Sequence, residues 1–233
     1  LWSDSIYRYR NNFVVNIVFI SLIILGGLGW RVIDDIWSNR KNLNYKKLSL
    51  HSKLVIRTTF YLIIFGTFGF LITESLLNGQ FFSDLNFFER LLSALFETIS
   101  ARTAGFTNYT ISLNTISDTG ILLLMTLMFI GASTGGTGGG IKTTTFIALM
   151  AATRSTLKGQ KDVIISNRLI SDKVILKAVG ITVGSLLFVL LMAMLLSTTN
   201  TFVKKEQFTF LEMLFTCISA FATVGFDIGL TNK

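Results

Sequence analysis

Residues 95–106 read LFETISARTAGF, and residues 214–226 read LFTCISAFATVGF. Both contain a Leu-Phe pair, an Ile-Ser-Ala triplet and a final Thr-x-Gly-Phe, and the second has one more residue before its threonine. Each belongs to an apolar run, at 87–101 and at 208–222, that would be about 22 Å long as a helix. Because a hydrocarbon core is roughly 30 Å thick, such a helix enters the bilayer and stops midway. The repetition predicts a membrane protein built from internal repeats.

The Thr-x-Gly-Phe stretches suit the backbone lining of an ion pathway. Glycine permits left-handed conformations and close approach to an ion. Carbonyl groups, together with the negative end of each short helix, stabilise a dehydrated cation. We therefore predict a K⁺-binding filter, formed mainly by backbone carbonyls, at Thr103, Ala104, Gly105, Phe106, Thr223, Val224, Gly225 and Phe226.

The composition excludes an ordinary soluble domain. Hydrophobic residues make up 51% of the chain and charged residues 15%, against roughly 25% charged in a typical soluble domain. The net charge of +8 comes largely from lysines and arginines in 31–57 and 142–177, whereas 73–118 carries more acids than bases. This alternation is the positive-inside pattern of a multi-pass protein, so we expect the two basic loops in the cytoplasm and no nucleic-acid partner.

The apolar runs predict an all-α integral membrane fold, made of repeated span–pore-helix–span units with re-entrant half-helices and extended filter strands. Full-length spans are expected at 13–30, 54–77 and 174–196. The order of these segments divides the chain into three regions. Region 1–53 holds the last span of a preceding repeat and a basic loop, 54–152 a complete repeat, and 153–233 a second basic loop and a truncated final repeat. The chain begins with Leu1 rather than Met, which we interpret as the start of a fragment.

The second span of the complete repeat is interrupted by the glycine-rich stretch GASTGGTGGG at 131–140. At roughly 1 kcal/mol per glycine relative to alanine, this stretch cannot be an ordinary helix. An unwound loop at membrane depth must line a cavity or be buried in protein. We predict a mobile gate loop that contains Gly131, Ser133, Gly135, Gly136, Thr137, Gly138, Gly139, Gly140 and Lys142.

The loop 131–142 has other interpretations. Gly131 and Gly135 fit a helix-packing motif. A phosphate-binding loop is disfavoured, because Ile141 separates Gly140 from Lys142 and no strand precedes the loop. Lys142 is expected to be an electrostatic barrier, a latch to carbonyls that keeps the gate closed, or a lysine that extends to the cytoplasmic surface.

Two charged residues precede the first filter stretch, Glu97 and Arg102. They either pair to brace the filter or reach outer water, and we favour structural support.

Three separated motifs, ARTAGF at 101–106, GGIKT at 139–143 and SAFATVGF at 219–226, resemble the membrane subunit of bacterial Ktr/Trk potassium uptake systems, most closely the Ktr type. The resemblance implies four span–pore-helix–span units around one pore, of which this chain holds roughly the second half. It also implies a multi-pass protein of the bacterial plasma membrane that transports K⁺, with Na⁺ as a possible coupling ion and no covalently bound cofactor. The expected partners are the lipid bilayer, a second copy in a homodimer, and a cytoplasmic nucleotide-binding ring subunit.

The family loop commonly contains proline, and this chain has none. An alternative function is a secondary transporter of another solute, built from repeats with broken helices. An enzyme that uses the glycine loop is disfavoured, because no acid, histidine or metal constellation accompanies Lys142.

Overall fold

The computed structural model describes residues 5–40, 47–77, 82, 85–108, 115–160, 162–166, 168–203 and 208–228. After a short 3-10 turn at Tyr7–Tyr9, its helices are α1 (Phe13–Leu28), α2 (Trp30–Ser38), α3 (Leu50–Leu77), α4 (Phe87–Ser100), α5 (Asp118–Phe129), α6 (Thr143–Leu157), α7 (Asp172–Val203) and α8 (Phe210–Phe221). The fold is therefore mostly helical, as predicted.

Two of the described helices, at Leu50–Leu76 and Asp172–Thr199, are long and apolar enough to cross a membrane. The bent pair of α1 and α2 is a third candidate if both are counted as one span. Apolar side chains along α7, such as Leu176, Leu187 and Met194, are more than half exposed. In a helix of this length and composition, such exposure is typical of a lipid-facing surface.

The first apolar run forms α1 over most of the span predicted at 13–30, and the chain turns sharply at the end of that helix. The chain bends by 96° between α1 and α2, and Gly29 at the bend has φ +82°, a left-handed conformation that glycine adopts without steric cost. Residues 30–38 form a helix rather than the predicted polar connection. Val32 is fully buried, while Trp30 and Trp37 are exposed, so α2 lies on the surface of the described fold with Val32 packed inward.

The basic segment between α6 and α7 also contains a feature absent from the all-α prediction. Strands β1 (Ile164–Ile165) and β2 (Arg168–Leu169) form a small antiparallel pair. The pair is only two residues long on each side, which is below the length at which alternating hydrophobicity gives a recognisable sequence signal.

Helix α5 is the buried centre of the molecule. Its residues Ile121, Leu124 and Met128 are fully buried and belong to one apolar cluster with Phe70 of α3 and Phe215 of α8. After α5 the chain leaves the helical conformation at Ile130 and resumes it at Thr143. The glycine-rich loop thus starts from the core of the fold.

Candidate functional site

Both short helices begin with the same capping arrangement. The backbone N–H of Asn86 donates to the carboxylate of Glu89 (3.0 Å), and the N–H of Thr209 donates to the carboxylate of Glu212 (2.7 Å). Each acid lies in the first turn, where its charge also suits the helix dipole. The starts of α4 and α8 are therefore fixed in the same way.

The segments that follow the two helices share an unusual backbone. Thr103 and Gly105 have φ +80° and +72°, and Thr223 and Gly225 have φ +55° and +89°. A non-glycine residue with positive φ costs on the order of 1–3 kcal/mol and persists only where surrounding contacts enforce it. The two threonines are therefore held in place by their environment.

Each segment is tied back to its own helix by a serine. Ser100 Oγ donates to the carbonyl of Phe106 (2.5 Å), and Ser219 Oγ donates to that of Phe226 (2.8 Å). The serine carbonyls in turn accept backbone N–H groups, from Ala104 at 3.0 Å and from Val224 at 2.9 Å. The carbonyl oxygens of Phe106 and Phe226 therefore each accept a hydrogen bond inside the protein. These bonds do not involve the carbonyl oxygens at 103–105 and 223–225.

The two segments meet at Gly105 and Val224. A Cβ atom added to Gly105 would overlap with the Val224 carbonyl oxygen. The backbones approach this closely only because position 105 has no side chain. The structure thus brings the two predicted filter stretches into direct contact, although they lie far apart in the sequence.

The two phenylalanines differ in their surroundings. Phe106 is 40% exposed and packs edge-on against Phe19 of α1, whereas Phe226 is buried and stacks on Phe215 of α8.

Buried polar side chains hydrogen-bond to the backbone that directly follows the first segment. The Glu97 carboxylate accepts the N–H of Asn108 (3.0 Å), and Asn108 Nδ2 donates to Asn16 Oδ1 of α1 (3.2 Å). All three residues are fully buried. Glu97 is a predicted supporting residue, whereas its partners were not predicted; the only signal for Asn16 is an amide within an apolar run.

Arg102 lies between the first segment and the glycine-rich loop. It is 8% exposed, and its Nη2 donates to the carbonyl of Gly131 (3.3 Å). Arg102 and Glu97 therefore have separate partners in these contacts, and Arg102 does not reach outer water.

The glycine-rich loop closes on itself at its base. The Gly131 N–H donates to the Ile141 carbonyl (3.0 Å), and the Ile141 N–H donates to the Phe129 carbonyl (2.9 Å). The residues between Gly131 and Ile141 therefore form a lobe. Hydrogen bonds hold the two ends of the lobe together where α5 ends and α6 begins.

The part of this lobe that returns to its base, at Gly138 and Gly139, contacts both segments at once. The Gly139 N–H donates to Thr223 Oγ1 (2.9 Å), and a Cβ on Gly139 would lie 2.7 Å from the Ala222 carbonyl oxygen. A Cβ on Gly138 would overlap with the Thr103 side chain. The loop thus lies against the two positive-φ threonines.

The other side of the lobe is held by the end of α1. The Ser133 N–H donates to the Gly27 carbonyl (3.0 Å), Ser133 Oγ donates to the Leu28 carbonyl, and the Trp30 N–H donates to the Gly135 carbonyl (3.3 Å). This support was not predicted. Gly29 was its signal, since a Cβ there would lie 2.8 Å from the backbone of Gly135 and Gly136.

Lys142 lies at the N-terminus of α6 and points back at the loop. Its Nζ donates to the Gly138 carbonyl at 2.6 Å. Of the three expectations for this lysine, the geometry matches a latch to a carbonyl.

Residues 1–233 match the family described as TrkH, cation transport protein. The chain is 35% identical over 233 residues to the Ktr system potassium uptake protein B of Bacillus subtilis, covering 100% of this chain and 50% of that protein. It is 36% identical over 231 residues to the potassium/sodium uptake protein NtpJ of Enterococcus hirae, covering 99% of this chain and 49% of that protein.

Among solved structures, the fold is similar to the crystal structure of the potassium transporter TrkH from Vibrio parahaemolyticus. The TM-score is 0.66 at 16% identity, over 99% of this chain and 49% of that one. The chain thus spans about half the length of the relatives it matches. The resemblance read from the sequence motifs is confirmed: the chain belongs to the TrkH family of cation transport proteins, which are membrane transporters and not enzymes.

Proposed function

We propose that this chain supplies half of a K⁺-translocating pore, in which the carbonyls of 103–105 and 223–225 bind the ion and the loop 131–142 closes the path. The observation that carries the proposal is the direct contact of Gly105 with Val224, beside the gate loop. The other half of the pore comes from further repeats of the whole protein, as in the four-unit arrangement that the resemblance implies.

The electrostatics favour a cation. α4 and α8 direct their C-termini toward the segments, and each helix end carries about half a negative charge. The carbonyls of the segments add oxygen ligands that replace the hydration shell of the ion. Potassium is the favoured ion because two relatives are named for potassium uptake.

Sodium is proposed as the coupling ion, because one relative is named a potassium/sodium uptake protein. We further propose that the whole protein forms a homodimer and binds a cytoplasmic nucleotide-binding ring. The basic segments 31–57 and 153–177 are the surfaces proposed to face that ring.

The gate is proposed to be closed in this structure. The loop 131–142 blocks the side of the segments that it contacts, and Lys142 Nζ holds the loop through the Gly138 carbonyl. In this arrangement an ion leaving the segments meets a backbone lobe and an ammonium group. Opening therefore requires the lobe to leave Thr103 and Thr223.

Lys142→Gln is expected to raise basal K⁺ leak about tenfold. A hydrogen bond to a charged group contributes roughly 1.5–3 kcal/mol, and about 1.4 kcal/mol corresponds to a factor of ten in the closed-to-open ratio. The measurement is rubidium tracer flux into vesicles that contain the whole protein without its cytoplasmic partner. Lys177→Gln, which removes an exposed lysine from α7, is the matched control. Equal flux in both variants would refute the latch.

The function itself is tested by growth rescue on limiting potassium. Bacteria that lack their own potassium uptake systems receive the whole protein together with its cytoplasmic partner. We expect growth to recover and rubidium to compete for uptake. No rescue by a well-expressed protein, combined with flux of an organic solute, would favour the secondary transporter instead.

A further inference from the structure

A groove opens between the helices of the described fold; Ile130 at the end of α5 lines it, but no residue of the two segments or of the loop 131–142 does. It has a volume of about 910 Å³ and lies between α3, α5, α6 and β1. The lining is mainly apolar and includes Phe65, Leu127 and Phe146. Phe65 is 63% exposed and Met150, also on the lining, is 56% exposed. The groove is therefore accessible from outside the described fold.

The groove runs along the helices for about the depth of one membrane leaflet. On α3 its lining extends from Leu54 to Phe65, and on α6 from Phe146 to Lys158. At about 1.5 Å per residue these stretches are roughly 16 and 18 Å long. Half of a hydrocarbon core of roughly 30 Å is about 15 Å. The whole lining, with its charged residues, thus spans about one leaflet, and its apolar part from Arg57 to Phe65 is about 12 Å long.

The charged residues of the lining cluster at one end. Arg57 lies near the start of α3, and Arg154 and Lys158 lie near the end of α6. All three side chains are exposed at the mouth. None of the described lining residues is an aspartate or a glutamate. Both helix ends adjoin the basic segments that the positive-inside pattern assigns to the cytoplasm.

We propose that this groove binds an anionic phospholipid of the cytoplasmic leaflet. An acyl chain lies along Phe65, Leu127 and Phe146, and the headgroup phosphate contacts Arg57, Arg154 and Lys158. Basic pockets between membrane helices on the cytoplasmic side are typical binding sites for anionic headgroups. A soluble protein partner fits poorly, because the apolar lining beyond Arg57 follows α3, a helix long and apolar enough to cross a membrane, for about 12 Å. The proposal does not depend on the ion pathway.

The test measures the affinity of the purified whole protein for phosphatidylglycerol by native mass spectrometry. We expect saturable binding of phosphatidylglycerol and at least about tenfold weaker binding of phosphatidylcholine, because each cation near the headgroup strengthens binding of the anionic lipid. Replacing Arg57, Arg154 and Lys158 together by Gln is expected to raise the apparent Kd for phosphatidylglycerol about tenfold or more. The matched control replaces Lys47, Lys173 and Lys177 by Gln, which removes the same charge from exposed positions outside the groove.

A second variant tests the apolar part without changing the charge. Ala151→Trp fills the lining, so it is expected to weaken phosphatidylglycerol binding in a protein whose melting temperature is unchanged. Equal affinities in the groove and control charge variants would overturn the proposal. So would a glycerol phosphate without acyl chains that binds as tightly as the lipid. Phosphatidylglycerol binding unaffected by Ala151→Trp would also contradict it, since the lipid would then lie elsewhere.

Discussion

Gly105→Ser is expected to abolish selective K⁺ uptake, lowering the K⁺-over-Na⁺ preference by at least about tenfold. Two effects combine at this position. The residue has φ +72°, which costs roughly 1–3 kcal/mol for a residue with a side chain. In addition, the new Cβ would overlap with the Val224 carbonyl oxygen and push the two segments apart. Because about 1.4 kcal/mol is a factor of ten, even the conformational cost alone is large.

The measurement is the ratio of rubidium to sodium flux through the whole protein in vesicles. Gly184→Ser is the matched control, since a Cβ there meets nothing within 4 Å and the residue lies in the middle of α7. Gly225→Ser separates the two effects, because Gly225 has φ +89° but open space around its Cβ position. We expect a smaller loss for Gly225→Ser than for Gly105→Ser. A Gly105→Ser protein that keeps its selectivity would contradict the filter assignment.

Gly138→Ala is expected to open the gate and raise K⁺ leak about tenfold or more. The added methyl group would overlap with the Thr103 side chain, so the lobe cannot keep its place against the segment. Overpacking of this kind typically costs 1–3 kcal/mol. Here the cost falls on the closed arrangement alone, since the open lobe no longer contacts Thr103.

The check is tracer flux without the cytoplasmic partner, compared with Gly27→Ala. Gly27 lies beside the lobe, and its carbonyl accepts the Ser133 N–H, yet a Cβ at position 27 meets nothing within 4 Å. This control therefore places a methyl group near the same loop without a collision. Leak that rises equally in both variants, or in neither, would argue against a gate at 131–142.

Local sequence signals predicted the helical elements well. The two short helices lie at Phe87–Ser100 and Phe210–Phe221, close to the predicted runs at 87–101 and 208–222. Hydrophobic runs and their lengths depend on nearby residues only, and six glycines in ten residues exclude a helix wherever they occur. The interruption between α5 and α6 could therefore be predicted from the sequence without knowledge of tertiary contacts.

The contacts that hold the loop 131–142 could not be predicted from local sequence signals. The bond from Ser133 to Gly27 and the bond from Arg102 to Gly131 join residues that lie far apart in the sequence, and the bend at Gly29 brings α1 against the loop. A single sequence carries no signal of which carbonyl a buried donor will find. Helix α2 was missed because Arg31, Asp34 and Asp35 make its segment look like a polar connection.

Glu97 and Arg102 illustrate the same limit. Their spacing in the sequence suggested a pair. In the structure, Glu97 accepts the N–H of Asn108 and Arg102 donates to the carbonyl of Gly131. Structural support was the favoured role, and these contacts agree with it, although through different partners. Charge alone left open whether the two residues pair or reach outer water, and it did not indicate which buried groups they contact.

The central claim is that ions bind at the carbonyls of 103–105 and 223–225. The most direct measurement is anomalous X-ray diffraction from crystals of the whole protein grown with rubidium in place of potassium. This account predicts an anomalous peak in contact with those carbonyls, beside Gly105 and Val224, and loss of that peak in Gly105→Ser. Rubidium peaks found only at acidic side chains, with none between the two segments, would contradict it.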